Sequence, residues 1–249
     1  MNRYDTNIFD TYNQGGTLGI SYKDIFSMFF FNASVSASRY RSEAMYGQTI
    51  NGVLTVTTLN EQPNSGSSLS VNGELSQGFD WKGLIVKANV GWGRNIAGQL
   101  RQSKLVDYNS QWISAGGAFN MRIAKWLFAD YAVNWGRNSS TVSTGETFPV
   151  MQSLNQKGTL TVEMPFGMGI NGTYEHYYNN ALPAGNRHFS LADLGMTYVI
   201  SGITYSLNWT NILNISKFIT SSYGDLNRYY SEYDIRPTQV MLSVRFRLK

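Results

Sequence analysis

The chain has 249 residues, which suffices for one large β domain or two ordinary domains. Charged residues make up 14% of it, well below the roughly 25% typical of soluble globular domains. The net charge is +4 with Lys and Arg dispersed, so we expect no nucleic-acid partner, and the absence of cysteine excludes a disulfide scaffold and a thiolate metal site.

Aromatic residues also make up 14% of the sequence, and 24 glycines accompany only 5 prolines. Few charges with many aromatic residues and glycines favour a β-barrel that faces lipid on one side. The longest apolar run, residues 25–31, is far shorter than the ~18 residues that a membrane-spanning helix needs. No apolar stretch follows residues 1–5, so we expect a mature chain without a signal peptide, or a fragment of a longer one.

Alternating apolar and polar residues predict strands along most of the chain, because strand side chains point alternately to opposite faces. Residues 1–14 are compatible with a strand or an extracellular loop. The predicted strands are residues 17–22, 29–38, 69–76, 84–92, 113–123, 127–135, 158–164, 168–174, 194–200, 203–209 and 240–248. Tight turns are predicted near 23–24, 80–83, 124–125, 165–166 and 201–202, and long loops near 41–64, 94–109, 138–152, 179–187 and 211–235. The sequence therefore predicts a single all-β domain of antiparallel strands over residues 1–249.

Turn lengths and aromatic positions make this domain look like a transmembrane barrel. Short turns on one side and long loops on the other are typical of such barrels, whose short turns are periplasmic. Two aromatic girdles are predicted, one from Trp92, Trp135 and Trp209 and one from Tyr22, Trp81, Trp126 and Phe166. A soluble all-β sandwich or barrel is the alternative, but it accounts poorly for the low charge and for a second strand face of Ser, Asn, Thr and Gly.

The last predicted strand is amphipathic. Its apolar set is Val240, Leu242, Val244, Phe246 and Leu248, which we expect to face lipid. We expect this strand to pair along one edge with residues 203–210. Its other edge is expected to meet the first strand of a closed barrel, because lipid satisfies no unpaired backbone group.

The segment before that strand resembles the C-terminus of TonB-dependent receptors. Residues 211–214, Asn-Ile-Leu-Asn, are similar to the Asn-Leu-Leu-Asn-like tetrapeptide that ends the penultimate strand in this family. Residues 223–237 are similar to the segment that precedes its terminal strand. The nearest resemblance is to the subgroup described as an outer-membrane β-barrel family with a carboxypeptidase-regulatory-like N-terminal domain.

This resemblance implies a nutrient transporter of the Gram-negative outer membrane. In the family a barrel of about 22 strands surrounds an N-terminal plug, through which the inner-membrane TonB complex acts. The present chain has about half of those strands and no recognisable plug, so one account is the C-terminal half of a receptor barrel, partnered by an N-terminal barrel half and plug. The other account is a small barrel of about twelve strands that closes by itself with residues 1–14 and serves as a pore or as a structural or adhesive barrel.

Charged and aromatic residues supply the candidate binding positions. In the predicted register, the side chains that face a lumen or plug are Glu74, Lys87, Arg122, Asp130, Lys157, Glu163, Glu175, Asp193, Arg245 and Arg247. The candidates for stacking on a ligand such as a sugar ring are Tyr223, Tyr229, Tyr230 and Tyr233, with an interfacial aromatic belt as the alternative.

A catalytic function is the third hypothesis. His188 and Ser190 are two residues apart and so share a strand face, as the base and nucleophile of an outer-membrane lipid hydrolase would. The tripeptide is too short to be specific, and no partner Asn stands out. We expect no enzyme activity, no catalytic residues, no metal site and no cofactor, because no metal-ligand spacing or phosphate-binding glycine loop occurs.

Overall fold

The structure is a computed structural model that describes residues 9–51, 54–101, 104–144, 148–224 and 227–246. Its strands are β1 (Thr11–Asp24), β2 (Phe29–Ser42), β3 (Met45–Asn51), β4 (Leu54–Asn60), β5 (Asn64–Phe79), β6 (Leu84–Arg101), β7 (Lys104–Ala124), β8 (Leu127–Val142), β9 (Met151–Met164), β10 (Met168–Asn179), β11 (His188–Ile200), β12 (Ile203–Thr210), β13 (Lys217–Gly224), β14 (Asn227–Asp234) and β15 (Gln239–Phe246). Three 3-10 turns occur at Trp81–Gly83, Pro165–Gly167 and Ala184–Asn186. The predicted all-β fold is confirmed, and within the described ranges no helix has the length and apolarity to cross a membrane.

One antiparallel sheet of 13 strands dominates the fold. Its main path runs in the order β1-β2-β5-β6-β7-β8-β9-β10-β11-β12-β15, and β3 joins it through β4 and a short parallel contact with β6. Strands β13 and β14 form a separate hairpin. The predicted pairing of the last strand with residues 203–210 is confirmed, since Ile203 pairs with Phe246 and Thr210 with Gln239.

The two edges of this path are β1 and β15. Among the described residues these strands do not pair with each other, so the predicted closure by residues 1–14 is not seen there. Residues 1–8 lie outside the described ranges. Both edge strands therefore leave a row of backbone groups that another strand can satisfy.

The register gives the sheet two chemically different faces, because directly paired residues project to the same side. We call the apolar face the side that carries the row Leu18, Val35, Val71, Trp92 and Ile113. We call the polar face the side that carries the row Ser21, Asn32, Glu74, Asn89 and Gly116. The predicted amphipathic alternation therefore becomes a continuous property of the whole sheet.

Hydrogen bonds between side chains link neighbouring strands across the polar face. The Thr17 and Ser36 hydroxyls lie 2.9 Å apart, and Ser21 Oγ donates to Asn32 Oδ1 at 2.7 Å. Small residues are needed where amides crowd: a Cβ at Gly116 would approach the side-chain oxygens of Asn89 and Asn134 to 2.5 Å each. This face is therefore a hydrated, hydrogen-bonded surface of short polar side chains.

The apolar face, in contrast, is not covered by a second layer of the described residues. The buried hydrophobic residues in the described part are few, namely Ala44, Met45, Ala97, Val106, Ala129, Val142 and Leu182. Val90 is 61% exposed and Leu242 is 69% exposed. The accessible surface is 17352 Å², whereas a compact monomer of 28.0 kDa is expected to expose about 11,000 Å². The sheet thus directs its apolar side chains outward instead of into a core.

Short turns connect the strands at one end of the sheet, as predicted. Ser201 and Gly202 have φ of 51° and 80°, which suits the tight turn of a right-twisted hairpin. Lys82 and Gly83 also have positive φ, at 53° and 57°. The predicted turn at residues 23–24 was wrong, because β1 continues to Asp24 and the turn follows at 25–28. There the Asp24 carboxylate accepts hydrogen bonds from the backbone of Phe26 and the hydroxyl of Ser27.

Several predicted long loops are in fact strands. Residues 94–109 belong mostly to β6 and β7, and the predicted loop at 138–152 begins only after β8 ends at Val142. The segments 41–64 and 211–235 contain the hairpins β3–β4 and β13–β14. These strands carry polar residues on both faces, so they lack the apolar alternation from which strands were predicted. Cross-strand bonds such as that from Arg94 Nε to Asn109 Oδ1, at 2.9 Å, hold them in place instead.

Candidate ligand-binding site

The charged residues predicted to face a lumen share the polar face wherever the structure describes them. The residues in register on this face are Glu74, Lys87, Arg122, Asp130, Lys157, Glu163, Glu175, Asp193 and Arg245. Arg247 lies outside the described residues. That this face lines a lumen or contacts a plug stays a prediction.

These charged side chains have different surroundings. Lys157 Nζ lies 2.7 Å from Glu175 Oε1 across the β9–β10 pair. The Arg122 guanidinium stacks on the Phe128 ring at 5.1 Å. Asp193 Oδ1 accepts a hydrogen bond from the backbone nitrogen of Asn211 at 2.7 Å, which gives Asp193 a structural role. Lys157 and Glu175 therefore form an ion pair on the polar face, across two neighbouring strands.

Asn211 clamps the base of the β13–β14 hairpin. Its side chain is buried, its residue being only 5% exposed, and its φ is +52°. Its Nδ2 donates to the carbonyls of Ile215 at 2.7 Å and Arg236 at 2.9 Å, and its Oδ1 accepts from the backbone nitrogen of Ile215 at 2.9 Å. One amide thereby ties together the chain entering the hairpin and the chain leaving it.

Asn214, the other asparagine of the tetrapeptide, repeats this role nearby. Its Oδ1 accepts a hydrogen bond from the backbone nitrogen of Thr238 at 3.2 Å, and its φ is +51°. Trp209 Nε1 donates to Thr238 Oγ1 at 2.9 Å. The Asn-Ile-Leu-Asn segment thus fixes where the hairpin leaves β12 and where β15 begins.

The β13–β14 hairpin lies against the polar face through a group of rings. Phe218 of β13 contacts Phe189 with ring centroids 4.9 Å apart, Tyr177 at 5.8 Å and Tyr233 at 6.4 Å. Tyr177 and Phe189 are directly paired residues of β10 and β11. Asn179 Nδ2 donates to the carbonyl of Ser221 at 2.7 Å and adds a polar anchor. We call Tyr177, Phe189, Phe218 and Tyr233 the aromatic cluster.

A cavity of about 300 Å³ opens beside the aromatic cluster, between the hairpin and the strands. Its lining includes Ser153, Asn155, Tyr177, Arg187, Phe189 and Phe218. The Tyr177 hydroxyl donates to Glu175 Oε2 at 2.7 Å, which connects the rings to the Lys157–Glu175 pair. Ring faces beside amide, hydroxyl and charged groups suit a small polar solute with flat apolar faces, as a sugar ring has.

The four tyrosines predicted from sequence have different positions. Tyr233 belongs to the aromatic cluster, and Tyr229 shares its hairpin face and is 54% exposed. Tyr230 projects from the opposite face, where its hydroxyl donates to Glu232 at 3.5 Å. On that face a hydrogen bond from the Lys217 ammonium lowers the pKa of the Glu232 carboxyl. The Tyr223 side chain lies outside what the structure describes.

Sequence reasoning missed Tyr177, Phe189 and Phe218 as candidate binding residues. Tyr177 lies after the predicted strand 168–174, Phe189 lies before the predicted strand 194–200, and Phe218 lies in a predicted loop, so no pattern placed them together. The available signal was the aromatic ending of β10, where Tyr177 and Tyr178 follow His176.

Replacing Phe218 by Ala is expected to loosen the hairpin without unfolding the sheet. Loss of a half-buried ring with three aromatic contacts should weaken hairpin docking by roughly 2 kcal/mol. Hydrogen exchange of the β13–β14 amides should then accelerate about 30-fold, and that of β6 and β7 should not change. Tyr230→Ala is the matched control, because this exposed ring lies on the other hairpin face. Equal acceleration in both variants would show that the aromatic cluster does not hold the hairpin.

The residues of the hydrolase hypothesis lie on the apolar face. Ser190 Oγ is 2.9 Å from the Tyr174 hydroxyl, and His188 Nδ1 is 3.2 Å from His176 Nε2. The two imidazole rings stack at 5.4 Å. In the described part of the chain, no imidazole hydrogen bonds to Ser190, so His188 is not placed as its base. The expected lack of enzyme activity stays a prediction.

Metal-ligating side chains do not converge within the described ranges. There, no group of three or more His, Cys, Asp and Glu residues is arranged to hold a metal ion.

The chain matches no protein-family model and no curated protein. Among solved structures it is similar to the RagAB peptide transporter, with a TM-score of 0.41 and 12% identity over 91% of this chain and 36% of that chain. It is also similar to the RagAB peptide importer in the "open-open" state, with a TM-score of 0.40 and 11% identity over 95% of this chain and 38% of that chain. The present chain therefore spans little more than a third of these chains, and a shared ligand or mechanism does not follow from similarity at this level.

Proposed function

We propose that the chain forms the C-terminal barrel portion of a TonB-dependent nutrient receptor in the Gram-negative outer membrane. The observation that carries this proposal is the uncovered apolar face. Its strands expose Leu18, Val90, Leu160, Leu207 and Leu242, so the apolar surface extends across the main path. A surface of this extent is a marked liability in water and is the normal exterior of a strand-built membrane protein.

The lengths of the connections between strands set the orientation of the sheet in the membrane. The short turns after β1, β5, β7, β9 and β11 face the periplasm, and the long connections face the exterior. The β13–β14 hairpin then lies at the extracellular mouth, over the polar face. The aromatic cluster and the Lys157–Glu175 pair form part of the receptor's binding site there. Their chemistry fits a glycan better than an apolar solute.

The open edges define the partners. Strands β1 and β15 pair with the strands of an N-terminal barrel half, because unpaired backbone groups at hydrocarbon depth are costly by several kcal/mol each. The plug occupies the space over the polar face, and the TonB complex acts through that plug. A self-closing pore or structural barrel requires pairing between β1 and β15, and a lipid hydrolase requires a general base that hydrogen-bonds to Ser190. Among the described residues, β1 does not pair with β15, and no imidazole hydrogen-bonds to Ser190.

Tryptophan fluorescence tests whether the apolar face contacts lipid. Trp92 lies on the apolar face and Trp112 lies on the polar face, where it pairs with Gly93. Two single-tryptophan forms of the complete receptor, which includes the N-terminal barrel half and the plug, are reconstituted in vesicles whose acyl chains carry bromine; Phe replaces every other tryptophan. We expect strong quenching of Trp92 and little quenching of Trp112. Quenching of neither residue, or of both equally, would contradict a membrane-spanning sheet with one lipid face.

A further inference from the structure

We propose that four arginines on the apolar face bind the phosphate groups of an anionic glycolipid in the outer leaflet of the membrane. They are Arg39 and Arg41 of β2, Arg94 of β6 and Arg137 of β8. This inference rests on the proposed function, because it takes the apolar face to contact lipid and the long connections to lie outside the cell.

The register arranges these arginines as a staircase that starts in the row of Trp92. Arg137 pairs with Ile113, which pairs with Trp92, so Arg137 lies in the row of Trp92. Arg94 lies one row further from the short turns, and Arg39 lies one row beyond Arg94. Arg39 and Arg94 are two strands and one row apart. Standard strand spacing and rise then put their Cα atoms about 12 Å from each other. Arginine side chains are long enough to bring such positions to a shared pair of phosphates.

The depth of these residues matches a headgroup region. Tryptophan marks the boundary between hydrocarbon and headgroups, and the arginines begin at that boundary and continue away from the hydrocarbon. At hydrocarbon depth the same residues would oppose insertion. At headgroup depth their planar guanidinium groups can bind phosphate through paired hydrogen bonds.

The charge on this part of the apolar face is strongly one-sided. All four arginines are exposed, and neither of the two ion pairs between described residues involves them. Within the described residues of β2 and β5–β8, Asp107 is the one carboxylate that shares the face at this end. The Arg94 Nε atom donates a hydrogen bond to Asn109 Oδ1, which orients this side chain. The other N–H groups of its guanidinium remain available as donors to an anion. This distribution favours an anionic partner, in contrast to the neutralised Lys157–Glu175 pair on the polar face.

A cavity of about 360 Å³ at the same place points to a glycolipid as the occupant. Its lining includes Arg39, Arg41, Asn64, Ser65 and Asp107. Ser65 pairs with Arg41 and Asp107 pairs with Gly98, so both side chains share the apolar face with the arginines. Sugar hydroxyls can hydrogen-bond to the Ser65 hydroxyl and the Asp107 carboxylate while phosphate groups bind the arginines. Lipopolysaccharide, the phosphate-bearing glycolipid of the Gram-negative outer leaflet, has both groups.

A binding experiment with two charge-matched variants tests the proposal. The complete receptor, with the N-terminal barrel half and the plug, is reconstituted in phosphatidylcholine nanodiscs, and its affinity is measured for lipopolysaccharide, dephosphorylated lipopolysaccharide, phosphatidylglycerol and inorganic phosphate. In one variant Arg39, Arg41, Arg94 and Arg137 are replaced by Gln. In the other variant Lys23 and Lys104 of the polar face and Lys82 and Lys125 of the short turns are replaced by Gln. We expect the first variant to bind lipopolysaccharide on the order of ten-fold more weakly or worse, and the second to bind nearly as the parent does.

Each other outcome rejects a defined part of the proposal. Equal weakening in both variants would indicate general charge attraction, and equal binding of the dephosphorylated lipid would exclude phosphate recognition. Competition by inorganic phosphate would indicate a free-anion site, and equal binding of phosphatidylglycerol would exclude recognition of the glycolipid.

If the quadruple variant does not fold, the double variant Arg39→Gln with Arg94→Gln replaces it. If Trp92 is quenched by brominated lipid and affinity is unchanged, the glycolipid site alone is refuted; if Trp92 is not quenched, the proposed function fails first.

Discussion

Replacing Asn211 by Ala is expected to lower the free energy of unfolding by about 3 kcal/mol. The change removes three hydrogen bonds of a buried amide and leaves the carbonyls of Ile215 and Arg236 without their donor. It also places Ala at a φ of +52°, which Asn tolerates better than Ala does. Because the amide joins both ends of the β13–β14 hairpin, the loss should reach β12 and β15 as well.

Equilibrium unfolding in urea, with the complete receptor in lipid vesicles, measures this loss. Asn95→Ala is the matched control, because Asn95 is an exposed asparagine of β6 in regular strand conformation. We expect the control to change the unfolding free energy by less than about 0.5 kcal/mol. If both variants lose the same small amount, Asn211 is not a clamp and the tetrapeptide needs another explanation.

The Asn-Ile-Leu-Asn segment shows what sequence resemblance provides and what it leaves open. The resemblance correctly located the end of β12, which is the strand before β15 on the main path of the sheet and ends at Thr210. It did not indicate why asparagine occupies residues 211 and 214. The structure supplies the reason, since both residues have positive φ and both amides bind backbone groups of the adjoining segments.

Alternation predicted the strands well wherever one face is apolar. It failed beyond Trp92, where β6 extends to Arg101 and β7 begins at Lys104, because these parts of the strands carry polar residues on both faces. Periodicity in hydrophobicity reports a difference between the two faces of a strand, and that difference is small where both faces carry polar residues. Strand pairing, which depends on the neighbouring chain, decides the structure there.

The candidate site and the arginine staircase were beyond sequence reasoning for a related reason. Tyr177 and Phe218 meet only because the hairpin folds back over the sheet. Arg94 fell at the start of a predicted loop, so it had no assigned face; the register with Leu69 now places it on the apolar face. Positions within a strand were predictable from the sequence, whereas contacts between distant segments needed the structure.

Arginine in place of Val90 is expected to lower the folding free energy in a bilayer by about 1–3 kcal/mol, between the cost of a basic residue at the midplane of a lipid-facing strand and the smaller cost near its interfaces. Val90 is 61% exposed on the apolar face of β6, a strand paired on both sides, and it lies one row inside Trp92. Its guanidinium would therefore have to reach past the tryptophan girdle to find water or phosphate. The loss of folding free energy should lie near the lower end of this range if the arginine side chain reaches the headgroups.

Asn89→Arg is the matched test of this face assignment. Asn89 neighbours Val90, is also exposed, and projects from the polar face in the row of Glu74. An arginine there enters a hydrated surface, so we expect a change in folding free energy below about 1 kcal/mol. Both variants are made in the complete receptor and compared by denaturant titration of refolding into vesicles. A shared loss would mean that the two faces of β6 meet the same solvent; a soluble sheet with polar surroundings on both sides would then replace the membrane-spanning one.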